Sequence, residues 1–311
     1  MYEFTGDESF HAHARKWTGE LKDQQLNTKT HDVGFIMFCS FGNEYRLHPN
    51  EETKNILLQS ACSLASRFNA RTGCIRSWDN PKWQFPVIID NMMNLELLFW
   101  AAKNGGGKEL YDIAVSHAEK TSQNHFRPDG STYHVVSYDT TTGAVLAKET
   151  HQGFAHESVW SRGQAWAIYG YTMAYRETRE KRFLQTAERA ANWFLDHLPD
   201  DAVPFWDFQA PEIPREPRDA SAAAIAASAL FELCTLTEDA RLQARYATEA
   251  RRILTSLCKA PYLAANSASS GILNHTTGNW PAKSEIDVSL IYGDYYFLEA
   301  MMRYRQSERV N

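Results

Sequence analysis

The stretch Trp160-Ser-Arg-Gly-Gln-Ala-Trp-Ala-Ile-Tyr-Gly-Tyr-Thr-Met-Ala-Tyr175 opens on charged and amide side chains and then runs apolar or small all round. A helix without a polar face has to be buried on every side. The segment after it, residues 181–197, is amphipathic, with Lys, Arg and Glu along one face, and belongs at a surface. The same pairing recurs along the chain. Buried-type segments cover residues 33–41, 91–102, 165–175, 221–233 and 295–304, and surface-type segments cover 9–24, 51–68, 108–124, 181–197 and 240–258. The buried helices begin near Asp32, Asp90, Arg162, Asp219 and Asp294, so the architecture repeats at separations of 58, 72, 57 and 75 residues although the residues themselves differ.

An inner ring of helices wrapped by an outer ring closes that alternation, which predicts an all-α fold, an (α/α) barrel of the six-hairpin type. Five outer-inner pairs can be counted, and residues 2–7 read as the trailing end of a helix and a turn, so the expected barrel lacks its first helix pair. No Pro/Gly/Ser-rich linker divides the chain, and a single catalytic domain over 1–311 is expected. Residues 132–138 are the best strand candidate, followed by the turn signal Thr141-Thr142-Gly143. In a barrel of this kind the N-terminal ends of the inner helices face one way, which gathers Asp32, Asp90, Arg162 and Asp219 at one mouth. Long aromatic-rich loops, 73–86, 125–160, 199–217 and 262–287, build that mouth, and function is expected there.

Net charge is -6 with mixed signs and no basic run, which argues against nucleic acid or an anionic membrane as partner. The five cysteines are odd in number and widely spaced, without a C-x-x-C pair or zinc-ligand spacing, so reduced and mostly buried thiols are expected. The opening residues carry neither a charged n-region nor an apolar h-region, and no stretch is apolar enough to span a bilayer. A cytoplasmic protein follows, with a homo-oligomer left open. No metal and no cofactor are expected: His151 and His156 are too few and too irregularly spaced to make a metal site with the carboxylates.

Chemistry concentrates in residues 149–166, which hold His151, Gln152, His156, Glu157, Trp160, Arg162, Gln164 and Trp166. Arg162 has the wrong sign for the start of a helix, so an anion should offset it, either Glu157 on a solvated face or an anionic ligand. Indoles stack on sugar faces, and Gln and Arg bind hydroxyls and carboxylates, which favours a sugar site. Asp32 and Asp90 stand at the entry of two inner helices, where each reads either as a helix cap or as a working carboxylate. Asp90 follows two isoleucines and precedes two methionines, surroundings expected to keep its proton on and suit it to general acid catalysis. Trp78 reads as a core plug or a sugar platform, and His134 as a structural donor or a site residue. Two carboxylates, indoles and a cation at one mouth make a glycoside-processing constellation.

The motifs His31-Asp32-x-Gly34-Phe35, Ile89-Asp90, Ser131-x-Tyr133-His134, His151-Gln152-Gly153, Trp160-x-Arg162-Gly163-Gln164-Ala165-Trp166 and Arg218-Asp219-x-Ser221 resemble those of the unsaturated glucuronyl hydrolases, glycoside hydrolase family 88. A more distant likeness runs to the unsaturated rhamnogalacturonyl hydrolases. The resemblance implies a six-pair (α/α) barrel that hydrates the C4=C5 double bond which polysaccharide lyases leave in a terminal uronic acid. It implies Asp90 as acid and base, Asp32 as its partner carboxylate, and a pocket lined by His31, Trp78, His134, Gln152, Trp160, Arg162 and Trp166. Arg162 would clamp the substrate carboxylate. The expected partner is thus an unsaturated uronyl oligosaccharide; the alternative reading is a catalytically impaired, sugar-binding homologue.

Overall fold

The structure, a computed structural model, describes residues 1–265 and 268–310. Asn266 and Ser267, inside the expected mouth loop 262–287, and Asn311, at the end of the expected domain, lie outside the described residues. In chain order the helices are α1 Tyr2–Thr5, α2 Glu8–Gly19, α3 Val33–Met37, α4 Asn43–Leu47, α5 Glu51–Ala65, α6 Leu95–Ala101 and α7 Lys108–Asn124, then α8 Ser161–Thr178, α9 Lys181–Asp196, α10 Ala220–Leu236, α11 Ala240–Leu257 and α12 Ile291–Val310. Short strands sit between them: β1 Phe68–Asn69, β2 Cys74–Ile75, β3 Pro86–Ile88, β4 Val135–Tyr138 and β5 Val145–Glu149. The chain divides into two compact units. One comprises Met1–Asn124 with Val136–Ala147, and the other His125–Val135 with the described residues from Lys148 onward.

In the first unit α5 forms because its start is capped and one face is apolar. The Asn50 side chain accepts from Thr53 N at 2.9 Å to start α5, with Glu51 and Glu52 beside the positive helix end. Helix α7 buries Leu110, Ile113, Ala114, His117, Ala118 and Thr121, the spacing of a single helical stripe. The inner segments are less regular than their sequence suggests. A π turn, Phe38–Gly42, joins α3 to α4, and α6 is entered through a 3-10 turn, Ile89–Asn94, and left through a π turn, Ala102–Gly106. Strands β3, β4 and β5 make a sheet in that order. Phe85, Val87, Val136, Tyr138 and Cys74 pack into one buried cluster beside it.

Two backbones meet where α3 and the 3-10 turn cross. A Cβ placed on Gly34 would lie 2.5 Å from Asn94 Cα, and the Asn94 side-chain carbonyl accepts from Phe35 N at 2.7 Å. Neither backbone can retreat cheaply, so Gly34→Ala should cost about 1–3 kcal/mol or more. A lowered thermal midpoint in circular dichroism checks this; an unchanged midpoint would mean that the crossing is looser than described.

In the second unit, α8 buries every residue from Ser161 to Tyr175 and α10 every residue from Ala220 to Phe231, the all-round burial read from their composition. Outer helices α9 and α11 bury one stripe each, Phe183, Ala187, Ala190 and Phe194 on the first and Tyr246, Ala250, Ile253, Leu254 and Leu257 on the second. Burying a side chain such as Phe183 contributes about 1.5–3 kcal/mol. The single amide inside α8 is fully satisfied: Gln164 accepts from the Thr132 hydroxyl at 3.0 Å and donates to the carbonyls of Gly130 and Ala190 at 3.0 and 3.1 Å. Gln164 therefore ties α8 to α9 and is not equipment for a ligand.

Among the described residues no helix is long and apolar enough to cross a membrane. All five cysteines are free thiols, but Cys62 and Cys258 are exposed and only Cys74 is buried, which corrects the expectation of mostly buried thiols. The short β1, β2, β3 and β5 also went unread, because strands of two to five residues carry too little period-two pattern to detect.

Candidate active site

The first unit brings His31, Asp32, Trp78 and Asp90 onto one scaffold, and Ser77 is its hub. The Ser77 carbonyl accepts from His31 N at 3.1 Å, its N–H donates to Pro86 O at 2.9 Å, and its hydroxyl accepts from Ile88 N at 3.0 Å. Trp78 pairs with Thr30 in an antiparallel bridge, and its ring lies 5.5 Å from that of Trp83. The Asn91 amide donates to Ile75 O at 2.8 Å, fixing the turn that holds Asp90. Sequence reading singled out neither Ser77 nor Asn94; the glycine of His31-Asp32-x-Gly34 was the one local sign of a close backbone approach.

Neither carboxylate serves as a cap. Asp32 occupies the N-cap position of α3 without a side-chain capping bond, and its side chain is 46 % exposed. Thr30 Oγ1 donates to it at 3.0 Å and His31 Nε2 lies 3.2 Å from its other oxygen. Asp90 falls inside the 3-10 turn Ile89–Asn94, whose N-cap is Ile88, with one carboxyl oxygen shielded from solvent. Asp219 behaves in the opposite way, accepting from Ser221 N and Ala222 N at the head of α10. His31 is 1 % exposed. Burial holds its imidazole below the usual histidine range against the opposing pull of Asp32 and Asn91, while Arg67 adds to the lowering. A neutral imidazole beside Asp32 can donate a proton to a hydrogen bond without cancelling the carboxylate charge.

The second unit gathers His134, Gln152, Trp160 and Arg162. His134 Nδ1 accepts from His151 N at 3.1 Å and Gln152 N at 3.2 Å, which places the ring proton on Nε2. Its ring lies 4.4 Å from Trp160, and the Arg162 guanidinium sits 4.5 Å from the Trp160 ring centre and 5.1 Å from that of Tyr292. Trp166 is buried in α8, edge-on to Tyr296 at 5.3 Å.

Arg162 is 3 % exposed, and the anion that answers it is Asp219, at 2.7 Å and fully buried. Glu157 is not its partner; that carboxylate is exposed and lies 3.7 Å from Arg127. The counter-ion expected from a substrate is thus supplied from within the protein, because the heads of α8 and α10 converge here. Arg162 also donates to the carbonyls of Thr277 and Gly278, both at 2.6 Å, and the Gln152 amide donates to Gly278 at 3.0 Å. These bonds hold the hairpin in which Thr276 pairs with Val288 and Asn279 with Ser284. Trp280, near its tip, stacks on Trp206 at 5.4 Å. The sequence showed this hairpin only as a loop.

A mainly helical scaffold with carboxylates, indoles and a buried cation at the heads of its inner helices carries the groups that a glycoside hydrolase needs. The chain belongs to Glycosyl Hydrolase Family 88, whose model matches residues 1–304. It is 50% identical over 309 residues to an unsaturated glucuronyl hydrolase of Formosa agariphila, covering 97% of this chain and 76% of the relative. A second unsaturated glucuronyl hydrolase, from Bacillus sp. (strain GL1), is 33% identical over 311 residues, 97% of this chain and 82% of the relative. Among solved structures, an unsaturated glucuronyl hydrolase described as specific for heparin matches with a TM-score of 0.95 at 47% identity, covering 99% of this chain and 83% of the other. The fold is accordingly the (α/α) barrel of that family, and the chain is a glycoside hydrolase.

Proposed function

We infer that Asp90 and Asp32 carry the reaction by which this hydrolase removes unsaturated glucuronic acid from the non-reducing end of lyase-generated oligosaccharides. One observation carries the assignment of roles: two carboxylates at helix heads, neither acting as a cap, on backbones that touch at Gly34 and Asn94. The C4=C5 bond of such a sugar is a vinyl ether. Asp90, as the acid, gives its proton to C4, and positive charge develops on C5 and the ring oxygen. Asp90, now a carboxylate, takes a proton from water as its oxygen bonds to C5. The resulting hemiketal opens to a ketone, and C1, left as a hemiacetal, releases the linked sugar. Net, one water adds across the double bond and the acid is regenerated. Asp32, with neutral His31 beside it, binds hydroxyls and holds a negative charge near the cationic intermediate.

His31, Trp78, His134, Gln152, Trp160, Arg162 and Trp166 form the substrate-binding set in this reading. Arg162, already paired with Asp219, acts in this reading by lying against the Trp160 ring and fixing the hairpin at Thr277 and Gly278. Residues 1–311 are read as one catalytic domain, since the family match runs through both compact units. Five free thiols fit a reducing compartment such as the cytoplasm.

The test is loss of the double bond's ultraviolet absorbance on incubation with lyase-generated disaccharides. Heparin-derived disaccharides come first, because the heparin-specific enzyme shares 47% identity. Steady decay with free uronate product is expected; no decay with any such disaccharide at any pH would leave the sugar-binding homologue in its place.

A further inference from the structure

The loop that carries His151 and Gln152 has no regular secondary structure, and His151, Phe154, Ala155, His156 and Glu157 are all exposed. Apolar burial therefore cannot hold its shape. Beneath it lies Asp207, fully buried. One Asp207 oxygen accepts from Phe154 N at 2.9 Å and from the Ser158 hydroxyl at 2.7 Å; the other accepts from Gln209 N at 2.9 Å. Trp160 and Asp207 form an antiparallel bridge, and Phe208 N donates to Val159 O at 3.0 Å, so the segment bearing the carboxylate is zipped to the end of the loop. A Cβ on Gly153 would stand 3.0 Å from the Asp207 carboxylate, so the chain passes directly over it. Within the loop, Ser158 Oγ accepts from Ala155 N at 2.9 Å and Thr150 Oγ1 from Gly153 N at 2.8 Å. The upstream end is the pair of N–H groups aimed at His134 Nδ1.

We propose that Asp207 is the positioning residue of the sugar-binding loop, setting Gln152 and the His134 ring in place through Phe154 N and Ser158 Oγ. It touches no reacting atom. A buried carboxylate with three short donors is a stiff anchor, since charged acceptors make stronger hydrogen bonds than neutral ones. Burial pushes the Asp207 carboxyl above the usual range, against the pull of these donors and of Arg127, so the anchor is maintained at a cost to stability. An anchor of that kind at a solvent-exposed loop is expected where loop shape matters to binding.

The proposal rests on the reading that Gln152 and His134 bind the substrate. Two variants test it, each alone and in an Asp90→Asn background in which binding is read by calorimetry without turnover. Asp207→Asn keeps the shape but removes the charge; Ser158→Ala removes one hydroxyl and leaves the carboxylate. Ser158→Ala should raise KM, and Kd in the Asp90→Asn background, by about 3–10-fold, and Asp207→Asn by about 10–100-fold, with kcat within about threefold of the parent. Chymotrypsin should also cut after the exposed Phe154 faster in both variants. A purely structural role would lower the thermal midpoint and the active fraction while leaving KM and Kd alone, and that result overturns the proposal. Should Asp207→Asn fail to fold, Ser158→Ala decides by the same measurements. A parent that never consumes the double bond sinks the assigned activity instead, and calorimetry then still reads the loop.

Discussion

Asp90→Asn should lower kcat by roughly two to four orders of magnitude while unsaturated disaccharide still binds. The amide matches the carboxylic acid in shape, so packing of the 3-10 turn between Ile89 and Asn91 is preserved, and what is lost is the proton for C4. Absorbance decay gives kcat and calorimetry gives Kd. A drop in kcat with Kd within a few-fold identifies the residue as the acid; activity near the parent's would remove Asp90 from the chemistry. Asp32→Asn should differ in kind, with both binding and turnover impaired, because an exposed carboxylate bonded to Thr30 and adjoining His31 is placed to meet hydroxyls as well as charge.

Arg162→Met is expected to have the largest effect on stability. It leaves Asp219 buried with its charge uncompensated, and breaking one side of such a pair costs about 3–5 kcal/mol. It also frees the Thr277 and Gly278 carbonyls, so the hairpin carrying Trp280 loses its hold. A fall in thermal midpoint on the order of 10 °C follows for a chain of this size. Replacing both partners, Arg162→Met with Asp219→Asn, should recover part of the loss, since the buried charge goes with its partner. A single variant as stable as the parent would show that the pair contributes little and that the hairpin is held by its own strand pairing.

The alternation of helices was legible because burial writes itself into composition. Residues 165–175 and 221–233 carry no polar face, and the structure buries them on every side. Outer helices 108–124, 181–197 and 240–258 likewise match α7, α9 and α11 to within a residue or two. The site was legible only as a set of candidates. Asp32, Asp90 and Asp219 look alike in sequence, each an aspartate before an apolar helix, yet only Asp219 of the three caps its helix. Gln164, which sat among the sugar-binding candidates of residues 149–166, joins α8 to α9 instead.

Local sequence determined that α8 and α10 are buried all round and that α7, α9 and α11 turn one face outward, because hydrophobic periodicity acts over a few residues. Segments 33–41 and 295–304, read as buried on every side, are only partly buried. Tertiary structure alone decided which charges answer one another. Arg162 meets Asp219, 57 residues on, and carbonyls more than 110 residues away, while Asp207 reaches back to Phe154 and Ser158 across 53 and 49. Such pairings depend on how helix heads and loops converge in space, and residue type or short-range spacing carries no record of that.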